Sequence, residues 1–208
     1  MALPSRLSGF AINPPAANSV DIFVDFVCPF SAKLLFNWYN EFIPLIQKTY
    51  PNQFQFILRP QVQPWHAIGS ALTMEAILAV NKIKPSLVWP ISVELMKHQR
   101  LFFDTAVVNE NKNQILKRLS DLIEILSNEE INSSQIYEIL FIRSKSDTEL
   151  IHQNLDTIIT NDLKYFTRFS RQNGIHVTPT ISIDGVVNPS IESSTDINGL
   201  INIFKSYL

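Results

Sequence analysis

The chain has 208 residues, of which 46% are hydrophobic and 17% charged, and its formal net charge is −2. This length suits one domain with an insertion or two small domains, and the near-neutral charge argues against nucleic-acid binding through phosphate contacts. The five glycines lie more than ten residues apart, which excludes a dinucleotide fingerprint and a phosphate loop, because both need closely spaced glycines.

Up to residue 66 the sequence predicts strands with one helix between them. Alternating apolar residues indicate the strands. A helical pattern of apolar residues begins at Pro29, which suits the first turn of a helix because its missing N–H costs nothing there. Pro44 lies inside that pattern and should kink the helix or end its first part. In chain order we expect an edge strand at 9–12, a strand at 20–27, the helix from 29, a strand at 53–59 and a loop at 60–64.

From residue 67 to about residue 173 the sequence predicts helices. The last of them should begin at a capping box, formed by Ser146 and Glu149, and end before Gly174 as its C-cap. We interpret its apolar stripe as core packing, not as a cofactor site. In chain order the helices are expected at 67–82, 85–99, 111–126, 133–143 and 146–173.

The chain then returns to sheet. Two short strands at 180–183 and 186–187, joined by Asp184-Gly185, predict a hairpin, and a final helix is expected at 195–207. This order predicts an α/β fold in which a helical domain, 67–173, is inserted into a small sheet domain made of 1–66 and 174–208.

Cys28 is the only cysteine of the sequence, and it lies where a predicted strand passes into a predicted helix. A thiol at that place faces unpaired backbone N–H groups and the positive end of the helix dipole. Both favour the thiolate, which is the nucleophilic form. The alternative is an inert buried cysteine, the usual state of a lone cysteine in an intracellular protein. One cysteine excludes an intrachain disulfide and a thiolate zinc cage, and the histidine spacing shows no metal site.

A proline lies at the start of the strand that follows the helical region. In Val177-Thr178-Pro179-Thr180, Pro179 belongs at the first position of a strand or in a turn, because it cannot donate to a sheet ladder. A cis bond before Pro179 would expose the backbone N–H and C=O of Thr178 to a thiol ligand. Since only about 5–6% of such bonds are cis, these residues alone do not establish it.

Together these segments resemble the DsbA-like branch of the thioredoxin superfamily, which includes kappa-class glutathione transferases and 2-hydroxychromene-2-carboxylate isomerases. The resemblance implies a thioredoxin-like sheet, a large all-helical insertion that covers one side of it, and a groove between the two. It is carried by Cys28-Pro29-Phe30-Ser31 at the strand–helix junction, by the helical insertion, and by Val177-Thr178-Pro179-Thr180 before an Asp-Gly hairpin.

The resemblance also implies roles for single residues. Cys28 matches the attacking position and Ser31 the resolving position, while Pro179 matches the cis-proline and Thr178 the backbone partner of an extended thiol ligand. Ser31 departs from the dithiol members, and no second cysteine replaces it. A dithiol cycle needs a second thiol to displace the mixed disulfide, so an autonomous dithiol oxidase is excluded. The acid that some dithiol members carry six residues before the nucleophile is replaced by Ile22.

Several residues near these motifs have two interpretations. Ser31 either donates a hydrogen bond to Cys28 or reflects the preference of serine for helix N-termini. Trp65 and His66 either line the groove, with the histidine as an acid or base, or form a buried tryptophan beside a satisfied histidine; we favour the second. Whether His66 or His176 faces the cysteine is left open. The candidate residues for binding glutathione or another substrate are Pro29, Phe30, Trp65, His66, Thr178 and Pro179.

Asp21 and Asp25 share one face of the predicted strand at 20–27. Paired carboxylates are used by some hydrolases, but a hydrolase also needs a cleft, and the sequence places none here. We therefore disfavour a hydrolytic site.

The leading functional hypothesis is a thiol-dependent oxidoreductase in which one nucleophilic cysteine works with glutathione, or another external thiol, as co-substrate. The alternatives are a kappa-type glutathione transferase or isomerase and a non-catalytic thioredoxin-fold binding module. We expect a small thiol or thiol-bearing substrate as partner, and neither nucleic acid, membrane nor metal. Kappa-type proteins suggest a homodimer. The sequence shows no signal peptide and no apolar window of membrane-spanning length, so we expect a cytoplasmic protein.

Overall fold

The computed structural model describes residues 3–142 and 157–208. Its strands form one five-stranded sheet with the order β1-β3-β2-β4-β5. The central strand β2 runs parallel to β3 and antiparallel to β4, and the two edge strands are antiparallel to their neighbours. The strands are β1 Ala11–Ile12, β2 Asn18–Val24, β3 Phe54–Pro60, β4 Thr180–Ile183 and β5 Val186–Val187.

The helices of the described residues pack on this sheet and on one another. The helix that begins at Pro29 is interrupted two residues before Pro44, where a π-helical turn, Trp38–Phe42, ends. The helices are α1 Pro29–Asn37, α2 Ile43–Thr49, α3 Ala67–Ile83, α4 Val88–Lys97, α5 Asp104–Val107, α6 Lys112–Leu126, α7 Ser133–Leu140, α8 Thr160–Gln172 and α9 Ile197–Lys205.

Several predicted boundaries were wrong at strand and helix ends. The strand expected at 20–27 ends at Val24, because the chain turns there and the Cys28 N–H donates to the Asp25 carbonyl. The edge strand begins only at Ala11, since a 3₁₀ helix occupies Ser5–Phe10.

The last helix of the insertion also differs from its prediction. Residues 157–159 are not helical, and α8 begins at Thr160. The predicted capping box at Ser146 and Glu149 lies outside the described residues.

Strand β2 is buried on both faces, which explains the mixed character of its sequence. Val20, Ile22 and Val24 belong to the main hydrophobic cluster. On the other face, Asp21 pairs with Arg59 of β3, with 2.7 Å between Oδ1 and Nε, and both side chains are buried. Asp21 is therefore a structural residue of the sheet and not one of two catalytic carboxylates.

An aromatic cluster fastens the C-terminal helix α9 to the sheet. The ring of Phe204 lies 4.8 to 6.1 Å from the rings of Trp38, Phe42, Phe54 and Phe56. The main hydrophobic cluster contains side chains from both the sheet part and the helical part of the chain. The division into two domains stays a prediction.

Across residues 3–142 and 157–208, no helix is long and apolar enough to cross a membrane. The same residues contain no group of three or more His, Cys, Asp or Glu side chains that could hold a metal ion.

A partly buried ion pair between α3 and α6 leads us to a prediction about how folding stability depends on pH. Glu75 lies 3.2 Å from Lys112, and burial raises the pKa of Glu75 above its usual value although the lysine acts in the opposite direction. The folded state therefore binds the proton of the Glu75 carboxyl more tightly than the unfolded chain does. The contribution of this group to the free energy of unfolding is favourable at low pH and is lost as the pH rises through the raised pKa.

Glu75→Gln should accordingly raise the midpoint of thermal unfolding at pH 7, and the difference from the wild type should vanish below about pH 4. Glu94→Gln, in the exposed pair with Lys97, is the control and should leave the midpoint nearly unchanged. A Glu75→Gln protein that is less stable at pH 7 would contradict the prediction.

Candidate active site

Cys28 lies at the point where the central strand passes into the first helix. After β2 the chain makes a tight turn, closed by the Cys28 N–H donating to the Asp25 carbonyl at 3.0 Å. Cys28 is the N-cap of α1, with Pro29 as the first helical residue, and its carbonyl accepts the first helical hydrogen bond from the Ala32 N–H. The thiol therefore lies at the positive end of the helix dipole.

The sheet topology brings a distant segment to this thiol. In the antiparallel pair of β2 and β4, Phe23 lies opposite Thr180, so the residues that precede β4 lie beside those that follow β2. The Thr178–Pro179 peptide bond is cis. The Cys28 thiol donates to the Thr178 carbonyl oxygen at 3.5 Å, across 150 residues of sequence.

The sulfur itself is covered, but its surroundings are open. Cys28 is only 4% exposed. Three apolar side chains next to site residues in the sequence are exposed: Phe30 (64%), Trp65 (60%) and Val177 (57%). Phe30 and Trp65, two of the candidate binding residues, therefore have apolar surface free to contact a ligand.

Ser31 follows neither of its two interpretations. It is fully buried, and its hydroxyl accepts a hydrogen bond from the Asp25 N–H at 3.3 Å. It is not the cap of α1, because Cys28 holds that position, and within the described residues its hydrogen bond is with Asp25 and not with the Cys28 sulfur. Ser31 thus fixes the turn that carries the cysteine.

Trp65 and His66 form part of a 3₁₀ turn, Pro64–His66, just before α3. The interpretation of Trp65 as a buried side chain was wrong, because it is 60% exposed. The His66 side chain is 24% exposed, and its Nδ1 lies 2.7 Å from Asp25 Oδ2. His176, the other histidine considered for the groove, is exposed.

Asp25 was missed as a site residue. Its buried carboxylate accepts hydrogen bonds from the Val27 N–H at 3.0 Å, the Gln63 N–H at 3.2 Å and the Ser70 hydroxyl at 2.9 Å, besides its contact with His66. The parallel strands β2 and β3 end at the same edge of the sheet, which brings the residues after each strand together. An aspartate directly after one parallel strand and a histidine shortly after the next was the signal that could have found the pair.

An open cavity of about 330 Å³ lies beside the residues that flank the cysteine in the chain. Val27 and Pro29, the two neighbours of Cys28 in the chain, form one part of its wall together with His66. Residues around the start of α5 form the rest. These are Phe103, Asp104 and Thr105.

No protein-family model matches the sequence, and no curated protein matches it. Solved structures do. A candidate protein-disulfide isomerase from Pseudomonas syringae matches with a TM-score of 0.71 at 20% identity, over 95% of this chain and 98% of that one. Oxidised BdbD from Bacillus subtilis matches with a TM-score of 0.66 at 21% identity, over 98% of this chain and 95% of that one. DsbA from Chlamydia trachomatis matches with a TM-score of 0.59 at 18% identity, over 95% of this chain and 91% of that one.

Each match covers nearly the whole of both chains, so the likeness includes the helical insertion as well as the sheet. The chain has the DsbA-like thioredoxin fold. The expected α/β architecture, a thioredoxin-like sheet with a large helical insertion, is thereby confirmed. In this DsbA-like chain, the start of α1 and the segment before β4 meet at one edge of the sheet, where Cys28 and Thr178 are in contact.

Proposed function

We propose that this protein is a thiol-disulfide oxidoreductase that works with a single nucleophilic cysteine and takes glutathione as its external thiol. The observation that carries the proposal is the contact of the Cys28 sulfur, at the start of α1, with the backbone of Thr178. Support also comes from two matched structures, described as a candidate protein-disulfide isomerase and as the thiol-disulfide exchange protein α-DsbA2 of Wolbachia pipientis.

The proposed cycle needs no second cysteine in the chain. The Cys28 thiolate attacks the glutathionyl sulfur of a mixed disulfide, a new S–S bond forms, and the substrate leaves as a thiol after taking up one proton. Reduced glutathione then attacks the Cys28–glutathione disulfide, which releases oxidised glutathione and restores the cysteine. The backbone of Thr178 and the side chains of Pro29, Phe30 and Pro179 would hold the ligand.

Intact-mass spectrometry after incubation with oxidised glutathione tests this proposal. The wild type should gain one glutathione, and reduced glutathione should remove it. Cys28→Ser, which is free of cysteine, should gain none, so it controls for adducts at any other side chain. Absence of an adduct in the wild type, together with no thermal stabilisation by reduced glutathione, would refute the proposal.

One observation favours a second candidate, a non-catalytic thioredoxin-fold binding module. Cys28 is 4% exposed, as a cysteine that serves only for packing would be. Alkylation by iodoacetamide separates the two, because a catalytic thiol must react in the folded protein. Rapid, stoichiometric alkylation supports the oxidoreductase, whereas alkylation only after unfolding supports the binding module.

A further inference from the structure

We propose that His66, oriented by Asp25, transfers the proton when Cys28 exchanges disulfides. This inference rests on the proposed function and adds an acid–base residue to it. It starts from the pair formed by buried Asp25 and partly buried His66, whose Oδ2 and Nδ1 atoms lie 2.7 Å apart, beyond the ends of two parallel strands.

The hydrogen bonds of Asp25 determine the tautomer of His66. Asp25 Oδ2 also faces the Gln63 N–H and the Ser70 hydroxyl, so it acts as an acceptor. The Ser70 oxygen in turn accepts from the same Gln63 N–H at 3.1 Å, which leaves its proton for Asp25. Nδ1 of neutral His66 must therefore carry the hydrogen, and Nε2 is the nitrogen free to accept a proton.

The cavity beside Cys28 is where this free nitrogen can act. His66 shares the cavity wall with Val27 and Pro29, the residues on either side of Cys28. Within the described part of the chain, Nε2 of His66 has no hydrogen-bond partner, and the side chain is 24% exposed. Its ring is thus held at Nδ1, which leaves Nε2 as the nitrogen available to a ligand in this cavity.

The chemistry requires such an acceptor. The Cys28 thiol donates its proton to the Thr178 carbonyl oxygen, and an amide oxygen is too weak a base to remove it. His66 Nε2 takes this proton, the thiolate so formed attacks, the Cys28–glutathione bond forms and the substrate disulfide breaks. The leaving sulfur takes the proton from Nε2, so His66 ends neutral. Attack by reduced glutathione repeats the transfer in the resolving step.

Among the described residues, the titratable groups that concern His66 include one in contact with it, one on the wall of the same cavity and the thiol between two wall residues. Asp25 lies behind Nδ1, Asp104 at the start of α5 lies across the cavity, and Cys28 lies at the start of α1. The pH dependence of adduct formation should therefore differ between the wild type and a variant that lacks the His66 imidazole.

The test measures the rate of adduct formation with oxidised glutathione from about pH 5 to 9. His66→Gln keeps an amide to donate to Asp25 but cannot titrate, so its rate should fall by about 100-fold and its pH profile should lose one step. His98→Gln removes an exposed histidine at the end of α4 and should match the wild type. Long-range ¹H–¹⁵N spectra should show neutral His66 with its proton on Nδ1.

Each other outcome has a definite meaning. An unchanged rate and pH profile in His66→Gln would overturn this inference and leave the proposed oxidoreductase intact. A proton on Nε2 would overturn the orientation by Asp25. A wild type that forms no adduct at any pH would refute the proposed function, and this inference with it.

Discussion

Arg59→Met should lower the free energy of unfolding by about 3–5 kcal/mol, because it leaves the buried carboxylate of Asp21 without its cation. The guanidinium is fully buried, lies 2.7 Å from that carboxylate and stacks on the ring of Phe169 at 4.1 Å. Its Nη1 also donates to the Tyr165 hydroxyl. Methionine retains most of the apolar contact but provides no charge and no donor. Urea denaturation followed by circular dichroism gives the value.

Two further variants make this prediction specific. Arg100→Met removes an exposed arginine and should change the free energy of unfolding by less than about 0.5 kcal/mol. Asp21→Leu combined with Arg59→Met removes both charges and should recover most of the loss. If Arg59→Met unfolds at the wild-type urea concentration, the pair does not stabilise the sheet as described.

Phe204→Ala should lower the free energy of unfolding by about 3–5 kcal/mol, the usual loss for a fully buried phenylalanine. Phe204 lies at the centre of the aromatic cluster, with ring centroids 4.8 Å from Phe42 and 5.0 Å from Phe54. Removing it leaves a cavity between α9 and β3 that rigid neighbouring rings cannot fill. The same urea denaturation measures the loss.

Phe30→Ala is the matched control. Phe30 is 64% exposed, so its removal should change the free energy of unfolding by less than about 0.5 kcal/mol. Phe204→Leu, which keeps most of the volume, should cost clearly less than Phe204→Ala. A Phe204→Ala loss no larger than that of Phe30→Ala would contradict the description of the aromatic cluster.

Local sequence signals predicted the parts of the fold that depend on a few neighbouring residues. Pro29 after an alternating segment marked the start of α1. Asp184-Gly185 marked the hairpin of β4 and β5, and both residues have positive φ angles, 52° and 82°, as such a two-residue turn requires. The helix predicted at 111–126 is α6, and its first predicted residue, Asn111, is the cap in a full capping box.

The site residues that were missed or misassigned depend on contacts over long sequence distances. Ser31 has helix-terminal chemistry, but the turn after β2 directs its hydroxyl to the Asp25 N–H. The contact of Asp25 with His66 spans 41 residues and exists because β2 and β3 are parallel neighbours. Strand order is a property of the whole sheet, so the aspartate and the histidine could be paired only by also assuming that their two strands are parallel neighbours.

The position of β2 between an early and a late strand has a consequence for biosynthesis. Thr178 leaves the ribosome 150 residues after Cys28, which at common translation rates takes about 8–30 s. During that interval the carbonyl oxygen that contacts the sulfur in the folded protein has not yet been made. The site can therefore be completed only after the segment before β4 has been synthesised, long after its cysteine.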